Sequence, residues 1–394
     1  MNNTIASGYA LGASTTATGP LKIIRQSDDV DDIEEGELAY ISMEKSKFND
    51  VLLFYSLVRA GVGGILCEDI GRTSHGIVLV NEFGIPCLTD INSDIASYEG
   101  ETITVLDDIV VEGSTTTSGE DTVDLTGLPN IDTSIRINLG FPEVIDAQRD
   151  LMDHIDGVGF MRMEFLLLDV LNGVHPKEYL RQSSESELTA KLASRIEPVV
   201  ELFRDNLVWI RTNDFSVPQL HRMDGGELYE TPEENPMLGW RGIARSIEQE
   251  TLLKIEFEAL RRMANNGYEN MGVFPPMTRF SDEFREWKTI AHNVGLEAVN
   301  FGMMVETPSA ALTFEEFANE IDFMIFGSND LTQFTLAIDR GNPNLQSKYD
   351  EKELAVQKLM ERVIQICNNN DIESSIGGQA AADPELITQL LRAQ

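Results

Sequence analysis

The chain contains 394 residues, enough for two domains, and carries a formal net charge of −36. An acidic field of this size repels phosphate backbones, so binding to DNA or RNA is excluded. No apolar run approaches the roughly 18 residues of a membrane span, and the N-terminus lacks the basic and apolar pattern of a signal peptide, so we expect a cytoplasmic protein.

Residues 1–112 predict a compact α/β module that is rich in strands. Its β-type runs alternate with glycine turns and read "PLKIIRQ", "GELAYISM", "GVGGILCED", "IPCLTD" and "ETITVLDDIVVEG". Helices are predicted over Ser46–Ala60 and His75–Phe83. A polar, turn-rich segment, residues 113–134, follows, and we interpret it as a linker to a second domain.

In residues 135–394, short apolar strands alternate with longer amphipathic helices. The predicted strands are "IRINL", "GVGFMRM", "LVWIRT", "MGVFPPM", "AVNFGMMVE", "DFMIFGS" and "IESSIGG". This alternation predicts a parallel sheet, and polar residues at the strand ends are typical of a (β/α)8 TIM barrel of about 250 residues. Only seven strands are predicted before the helix "PELITQLLRAQ", so we expect the last strand–helix unit to be missing.

The stretch "GRTSHGIVLVNEFGIP" places His75 behind Thr73 and Ser74 at the start of a predicted helix. A helix N-terminus attracts phosphate through its free N–H groups and its dipole, and the two hydroxyls add donors. Imidazole is nucleophilic near neutral pH, so one interpretation of His75 is a phosphoryl carrier. The alternative is a histidine that caps the helix and is buried under the module.

Four arginines are predicted on the strand-end face of the barrel. Arg162 and Arg211 follow the apolar strands "GVGFM" and "LVWI", while Arg241 and Arg340 lie in the loops "NPMLGWRG" and "AIDRGN". The planar guanidinium group binds phosphate or carboxylate through two parallel hydrogen bonds. Together the four predict a clamp for a multiply charged anion, although each one alone would be interpreted as a surface ion pair.

Two carboxylates also end apolar strands, namely Glu306 in "MMVETPSA" and Asp330 in "FGSNDLTQ". Two carboxylates beside phosphate oxygens suit Mg²⁺, which takes a few carboxylates together with substrate oxygens and water. Asn329 can donate to the same phosphate or enolate oxygens. For Asp330, capping of the following helix is the alternative.

Two further features of the composition lead to predictions, one about the cysteines and one about the acidic residues. Cys67, Cys87 and Cys367 are scattered without a CxxC pair, so we predict buried, reduced thiols and no zinc or redox site. Acidic residues are spread along the chain, and arginine outnumbers lysine about two to one. A dispersed acidic surface keeps a protein soluble in high salt, so we hypothesise a halophilic source.

These motifs together resemble the family of phosphoenolpyruvate-utilising phosphotransferases, over roughly residues 8–390. The stretch around His75 resembles the swivelling phosphohistidine domain of that family, with His75 at the phosphorylated position. The stretches "GVGFMRMEF", "IRTNDF", "EENPMLGWRG", "MMVETPSA", "FGSNDLTQFTLAIDRGN" and "GGQAAADPE" resemble the barrel motifs, in the order of the family.

The resemblance implies a swivelling β/β/α phosphohistidine domain in residues 1–112 and a phosphoenolpyruvate-binding barrel in residues 135–394, with the linker as the hinge. A phosphoryl group would move between phosphoenolpyruvate and His75. Asn329 would contact the phosphate, and Glu306 and Asp330 would hold Mg²⁺. The phosphate and carboxylate of the substrate would be held by four arginines: Arg162, Arg211, Arg241 and Arg340.

The chain departs from the family pattern at two further points. The ATP-grasp nucleotide-binding domain is not found, so we expect a separate ATP-binding subunit as a partner, and a homodimer through the barrel is a second expected partner. The family has a cysteine on the seventh strand that protonates the enolate, and Gly377 stands at that position. Conversion between pyruvate and phosphoenolpyruvate should therefore be slow or lost, unless water or another residue substitutes.

Three functions stay open. The first is a phosphohistidine phosphotransferase similar to the phosphoenolpyruvate synthases, supported by the complete set of ligand residues. The second is a phosphotransferase for another acceptor, such as an alcohol, because transfer to oxygen does not need the enolate proton. The third is a non-catalytic phosphoenolpyruvate sensor or regulator, which the loss of the cysteine and the shortened barrel would favour.

Overall fold

The computed structural model describes residues 3–11, 16–42, 50–68, 75–115, 133–147, 149–340, 342 and 344–393. The chain divides into two compact units. One unit comprises Met1–Ser134 with Asp146–Arg149, and the other comprises Ile135–Ile145 with Asp150–Gln394. Most of the predicted linker lies outside the described residues.

The first unit is built on a mixed sheet of eight strands. In chain order the strands are β1 Thr4–Ser7, β2 Tyr9–Leu11, β3 Thr16–Ile24, β4 Leu38–Ile41, β5 Gly64–Cys67, β6 Cys87–Thr89, β7 Thr102–Leu106 and β8 Ile109–Glu112. Across the sheet they run β1-β8-β7-β3-β4-β5-β6-β2, with β3 to β6 parallel and the remaining pairs antiparallel. Its described helices are α1 Asp50–Arg59 and α2 His75–Glu82.

The core of the first unit comes from apolar side chains that alternate along the central strands. Leu21 and Ile23 on β3 pack with Leu38, Leu66 and Ile103 from neighbouring strands. This alternation is the period of a strand with one buried face. Each predicted strand stretch contains a strand, and the last stretch holds two, because the chain reverses between β7 and β8.

The second unit contains a sheet of seven parallel strands in sequential order. The strands are β9 Ile137–Leu139, β10 Gly157–Arg162, β11 Leu207–Arg211, β12 Met271–Phe274, β13 Asn300–Val305, β14 Phe323–Gly327 and β15 Glu373–Gly377. The remaining helices are α3 Val144–Ala147, α4 Met163–Leu171, α5 Pro176–Gln182, α6 Glu185–Leu202, α7 Val217–His221, α8 Gly242–Glu248, α9 Glu250–Asn265, α10 Ser281–Val294, α11 Pro308–Leu312, α12 Ser328–Leu336, α13 Leu354–Asn369 and α14 Pro384–Ala393. The seven predicted strands and the α/β barrel class are confirmed.

Large aromatic rings fill the interior of the parallel sheet. The rings of Trp209 and Phe323 are stacked with centroids 4.1 Å apart, and Phe274 meets Phe323 edge to face. The ring of Phe323 lies so close to two strands that a Cβ at Gly272 would come within 2.7 Å of it, and one at Gly302 would overlap it. Glycine is therefore required at these two positions by close packing against a ring.

The two edge strands of this sheet are linked by side chains. Arg136, which precedes β9, forms an ion pair with Glu373 at the start of β15. Because β9 and β15 are the opposite ends of the strand order, this ion pair shows that the sheet curls round on itself. In the described ranges, no helix is long and apolar enough to cross a membrane.

Candidate active site at the carboxyl ends of the barrel strands

The parallel strands bring most of the predicted barrel residues to one edge of the sheet. Arg162 and Arg211 are the last residues of β10 and β11, and these two positions are paired in register. Glu306 follows β13 directly, and Asn329 and Asp330 lie in the first turn of α12, which follows β14. Carboxyl ends of parallel strands are where barrel enzymes carry their sites.

Four buried charges of alternating sign run across this edge. Arg211 donates to Glu164 and lies 3.6 Å from an oxygen of Asp214. Asp214 in turn accepts two hydrogen bonds from Arg241, at 3.0 Å from Nε and 2.6 Å from Nη2. All four side chains are at least nine-tenths buried. Arg211 and Arg241, distant in sequence, are thus held side by side by one carboxylate.

The charge network keeps both arginines protonated in spite of their burial. Burial opposes the charge on Arg211, but Glu164, Asp214 and Glu306 together hold its pKa above the ordinary value. Burial also opposes the charge on Arg241, and Asp214 is the main group that raises its pKa. Two fixed positive groups at the strand ends are suited to an anion with two charged ends.

Glu164 and Asp214 are site residues that the sequence reasoning missed. Each lies shortly after a predicted arginine, in the pattern Arg-x-Glu for Arg162 and Glu164 and Arg-x-x-Asp for Arg211 and Asp214. A carboxylate one turn beyond a strand-end arginine is a signal that could have pointed to them. Glu164 nevertheless pairs with Arg211 from the neighbouring strand, which spacing alone does not reveal.

Arg162 lies beside Arg211 but makes different contacts. Its guanidinium carbon is 4.5 Å from the ring centroid of Phe160 and 5.6 Å from that of Phe165. The guanidinium of Arg211 lies 4.7 Å from the same Phe160 ring. An aromatic face orients a guanidinium group without neutralising its charge. The two arginines therefore flank one ring at the mouth of the barrel.

Glu306 is a buried carboxylate next to these arginines. Its Oε1 accepts a hydrogen bond from the Met277 amide at 2.5 Å, and the residue is only 1% exposed. Burial first, and then the negative charges of Asp330 and Asp214, raise the pKa of Glu306 to about 8, while Arg211 opposes the rise. The charge of Asp330 thus acts on Glu306 across the same edge of the sheet.

Asp330 and Arg340 are brought together by the turn that follows α12. Their nearest charged atoms are 3.4 Å apart, and the Arg340 amide donates to Gln333 Oε1 at 3.1 Å. The oxygen of Asp330 nearest to Arg340 is Oδ1, which is buried and accepts no hydrogen bond from the described part of the chain. A buried carboxylate oxygen with only this one ion-pair contact has room for a second positive partner.

The end of β15 lies against the first turn of α12, beside these site residues. Gly378 has φ +93°, and a Cβ there would overlap Ser328 Oγ and lie 3.0 Å from Asn329 Oδ1. A Cβ at Gly377 would lie 3.7 Å from the Phe326 carbonyl oxygen, an ordinary van der Waals distance. The structure therefore requires glycine at position 378 but leaves room for a side chain at position 377.

The donor set fits one divalent cation that shares its coordination with a substrate. Glu306 and Asp330 supply carboxylate oxygens that repel each other, and a cation between them would remove that repulsion. Across the residues that the structure describes, no group of three or more His, Cys, Asp or Glu side chains could hold a metal ion alone. Mg²⁺ commonly binds through one or two carboxylates and completes its shell with phosphate oxygens and water.

A cleft of about 650 Å³ opens beside Arg241. Its walls come from the loop before α8, the ends of β12 and β13, and α12. Apolar side chains dominate the lining, and the cleft also reaches polar groups. The main lining residues are Met237, Arg241, Met277, Thr307, Gln333 and Phe334.

The remaining sequence-based expectations concern histidine and cysteine. His75 is the first residue of α2, as predicted, but its side chain lies outside the described part of the structure, as do Thr73 and Ser74. Its role stays a prediction. The three cysteines, Cys67, Cys87 and Cys367, are buried and form no disulfide, which confirms the prediction of buried, reduced thiols.

Comparisons with known proteins match both parts of the chain. The model of the PEP-utilising enzyme mobile domain matches residues 53–114, and that of the PEP-utilising enzyme PEP-binding domain matches residues 120–394. The phosphoenolpyruvate synthase of Pyrococcus furiosus is 36% identical over 401 residues, which cover 97% of this chain and 48% of the relative. A probable phosphoenolpyruvate synthase of Archaeoglobus fulgidus is 34% identical, with 97% and 50% covered.

The phosphoenolpyruvate synthase of Pseudomonas aeruginosa is 30% identical, with 98% of this chain and 52% of the relative covered. The chain thus spans about half the length of these curated relatives. Among solved structures, an HpcH/HpaI aldolase from Desulfitobacterium hafniense covers 65% of this chain and 81% of its own, at 12% identity and a TM-score of 0.31.

Proposed function

The chain belongs to the family of PEP-utilising enzymes, and from this we propose that it moves a phosphoryl group between phosphoenolpyruvate and His75. The observation that carries the proposal is the buried row of alternating charges at the strand ends, next to Glu306 and Asp330. Because its relatives are named phosphoenolpyruvate synthases, we propose a synthase-like cytoplasmic phosphotransferase that works with a separate ATP-binding subunit.

The proposed substrate fits the charges of the site. Phosphoenolpyruvate carries a phosphate and a carboxylate on a small carbon frame, and two separated anionic groups need more than one cation. Arg211 and Arg241 are already oriented by Asp214, so little side-chain freedom is lost when an anion binds. Arg162 and Arg340 would complete the clamp, and Asn329 would donate to the phosphate.

The metal of the proposed reaction is Mg²⁺, held by Glu306 and Asp330. When bound, it would neutralise charge on the phosphate oxygens during transfer. The side chains would bind and shield the substrate. The arginines would hold the phosphate and carboxylate, and the buried ion pairs would exclude water from the strand ends. Binding of a cation would also lower the pKa of Glu306, which is raised by its neighbours, and keep it ionised at neutral pH.

The chemical step would be an in-line transfer. An imidazole nitrogen of His75 attacks phosphorus, the bond between phosphorus and the enol oxygen breaks, and the electron pair stays on the enolate. The arginines stabilise the charge that develops on that oxygen. Carbon 3 of the enolate then takes a proton to give pyruvate. Gly377 has no proton to give, so we propose that water supplies it, slowly.

A second candidate function rests on the same glycine. A phosphotransferase that passes the phosphoryl group from His75 to a hydroxyl acceptor would not need a proton donor at position 377. The free space beside Gly377 favours this alternative, because no side chain fills the place. Turnover with an alcohol but not with pyruvate would support it.

The proposal is tested by intact-protein mass after incubation with phosphoenolpyruvate and Mg²⁺ in concentrated KCl. We expect an acid-labile phosphate adduct on the unaltered chain and none on His75→Ala. His154→Ala, at an exposed position, is the matched control and should be modified like the unaltered chain. Absence of the adduct while phosphoenolpyruvate still binds would contradict the proposed function and favour a non-catalytic sensor.

A further inference from the structure

The segment between α12 and α13 folds back onto the first turn of α12. Two side chains of this segment form hydrogen bonds with that turn. The Tyr349 hydroxyl donates to the Asn329 carbonyl oxygen at 3.0 Å, and Glu351 accepts a hydrogen bond from the Ser328 hydroxyl at 2.8 Å. Two consecutive residues of the turn are thus held from one side by the same short stretch of chain.

The same stretch is anchored on its other side. Lys352 Nζ lies 3.2 Å from a carboxylate oxygen of Asp383 and 3.2 Å from one of Glu385, at the start of α14. The helix α14 follows β15, and α12 follows β14. Residues 349–352 therefore link the segment after β14 to the segment after β15. We call residues 349–352 the clamp segment.

Both clamp side chains are partly buried. Burial, followed by the charge of Glu351, raises the pKa of Tyr349, so its hydroxyl keeps its proton and remains a donor. The acceptor Glu351 is half-buried, and its partner Ser328 is fully buried. Hydrogen bonds that are sheltered from water in this way restrict motion more than exposed ones.

We propose that Tyr349 and Glu351 are positioning residues that fix the first turn of α12 and thereby the positions of Asn329 and Asp330. The inference rests on the proposed function, in which these two residues bind phosphate and metal. Neither clamp side chain needs to touch the substrate. Their contribution is geometric, because small displacements of a ligand residue weaken binding and transfer steeply.

Four variants of the full chain separate this role from general stability. Tyr349→Phe removes the hydroxyl and keeps the ring. Glu351→Leu removes the acceptor, whereas Glu351→Gln retains a carbonyl oxygen that accepts from Ser328. Glu353→Gln, at an exposed position two residues further on, is the matched control for loss of one negative charge.

The first measurement is Mn²⁺ binding to each variant by electron paramagnetic resonance in the presence of phosphoenolpyruvate, because the site completes the coordination of the metal with substrate oxygens. One hydrogen bond contributes about 1 kcal/mol, so we expect Tyr349→Phe and Glu351→Leu to raise the Kd for Mn²⁺ about fivefold. Glu351→Gln and Glu353→Gln should bind Mn²⁺ like the unaltered chain. The second measurement is amide hydrogen exchange without metal, which should rise in the peptide that contains residues 328–336.

The outcomes distinguish this inference from the proposed function. Asp330→Asn tests the metal assignment itself, and an unchanged Mn²⁺ affinity in that variant would overturn the assignment and the inference together. Loss of Mn²⁺ binding in Asp330→Asn, with unchanged affinity in both Tyr349→Phe and Glu351→Leu, would overturn the inference alone. Faster exchange throughout the barrel, with Mn²⁺ affinity unchanged, would also overturn it, because the clamp would then be merely structural.

Discussion

Arg136 and Glu373 are 237 positions apart in sequence and form an ion pair between the two edge strands of the parallel sheet. The guanidinium group of Arg136 also lies 4.2 Å from the centroid of the Trp209 ring, in the interior of the sheet. The Arg136 side chain is only 10% exposed, whereas that of Glu373 is 44% exposed. The arginine is therefore held by two partners, and the carboxylate is the weaker of them.

We predict that the two members of this ion pair contribute unequally to stability. Glu373→Ala should lower the free energy of unfolding by less than about 1 kcal/mol, because the carboxylate is partly solvated. Arg136→Ala should cost about 2 kcal/mol, because the contact with the Trp209 ring is lost as well. Urea unfolding measures both values. Arg204→Ala is the control, since Arg204 has the same two kinds of partner, Glu201 and Tyr268, at an exposed site and should cost less. Equal losses for Arg136 and Glu373 would contradict the prediction.

Asp214→Asn should destabilise the barrel unit strongly. Asn keeps the size of the side chain but removes the charge that neutralises two buried arginines, and breaking a buried pair costs about 3–5 kcal/mol. We expect a lower free energy of unfolding in urea and weaker phosphoenolpyruvate binding. Asp282→Asn, which loosens an exposed pair with Arg285, is the control and should leave both unchanged. A normal stability for Asp214→Asn would show that water reaches these arginines.

Gly377 and Gly378 should differ sharply in their tolerance of a side chain. Gly377→Cys is expected to fold normally, because its Cβ meets only ordinary contacts, whereas Gly378→Cys combines a positive φ with an overlap on Ser328. If the proposed function holds, the thiol in Gly377→Cys should also speed the exchange of pyruvate methyl protons in D₂O, followed by proton NMR. Gly377→Ser fills the same space with a far weaker acid and serves as the control. Equal exchange in the two variants would rule out a thiol effect.

The stability of the protein should fall with rising pH because of Glu256. This fully buried residue of α9 accepts a hydrogen bond from the Asn213 amide, and burial raises its pKa to about 8. The folded state therefore keeps a proton that the unfolded chain releases above its ordinary pKa of 4.5. Stability from this group is fully present below that value and is lost as the pH rises towards 8.

Glu256→Gln should make this part of the pH profile shallower and be the more stable protein near pH 8. The pKa of Glu306 is also raised to about 8, so a smaller slope from that residue should remain. The measurement is the free energy of unfolding in urea at several pH values between about 5 and about 8. Glu258→Gln, on the same helix, is the control, because the hydrogen bond from Arg261 lowers the pKa of Glu258. The control should retain the slope. A slope in Glu256→Gln that equals the slope of the unaltered protein would show that Glu256 does not cause it.

Concentrated salt should stabilise the chain. A net charge of −36 implies strong self-repulsion, which salt screens over about 10 Å at 0.1 M and about 3 Å at 1 M. We expect the Tm to rise between about 0.1 M and about 3 M KCl at neutral pH, measured by circular dichroism. A Tm that does not depend on KCl would count against the hypothesis of a halophilic source.

The barrel strands could be predicted from the sequence because each is a short apolar run between longer helical segments. β1 and β2 were missed, since three or four residues with mixed burial do not show a period of two. At the site, strand-end position predicted Arg162, Arg211 and Glu306, because the ends of parallel strands meet at one edge. The support from Asp214, Glu164 and Tyr349 could not be predicted, since it depends on how neighbouring strands and loops fold back on one another.

Asp214 serves two arginines at once, and this has an evolutionary consequence. A substitution at Arg211 leaves the carboxylate engaged with Arg241, and a substitution at Arg241 leaves it engaged with Arg211. The effect of each change therefore depends on which residues occupy the other two positions, so the three are epistatic. Replacement of Asp214 alone removes the shared partner of two buried guanidinium groups, whereas replacement of either arginine alone leaves Asp214 paired, so a lineage should lose Asp214 only together with the arginines or after them.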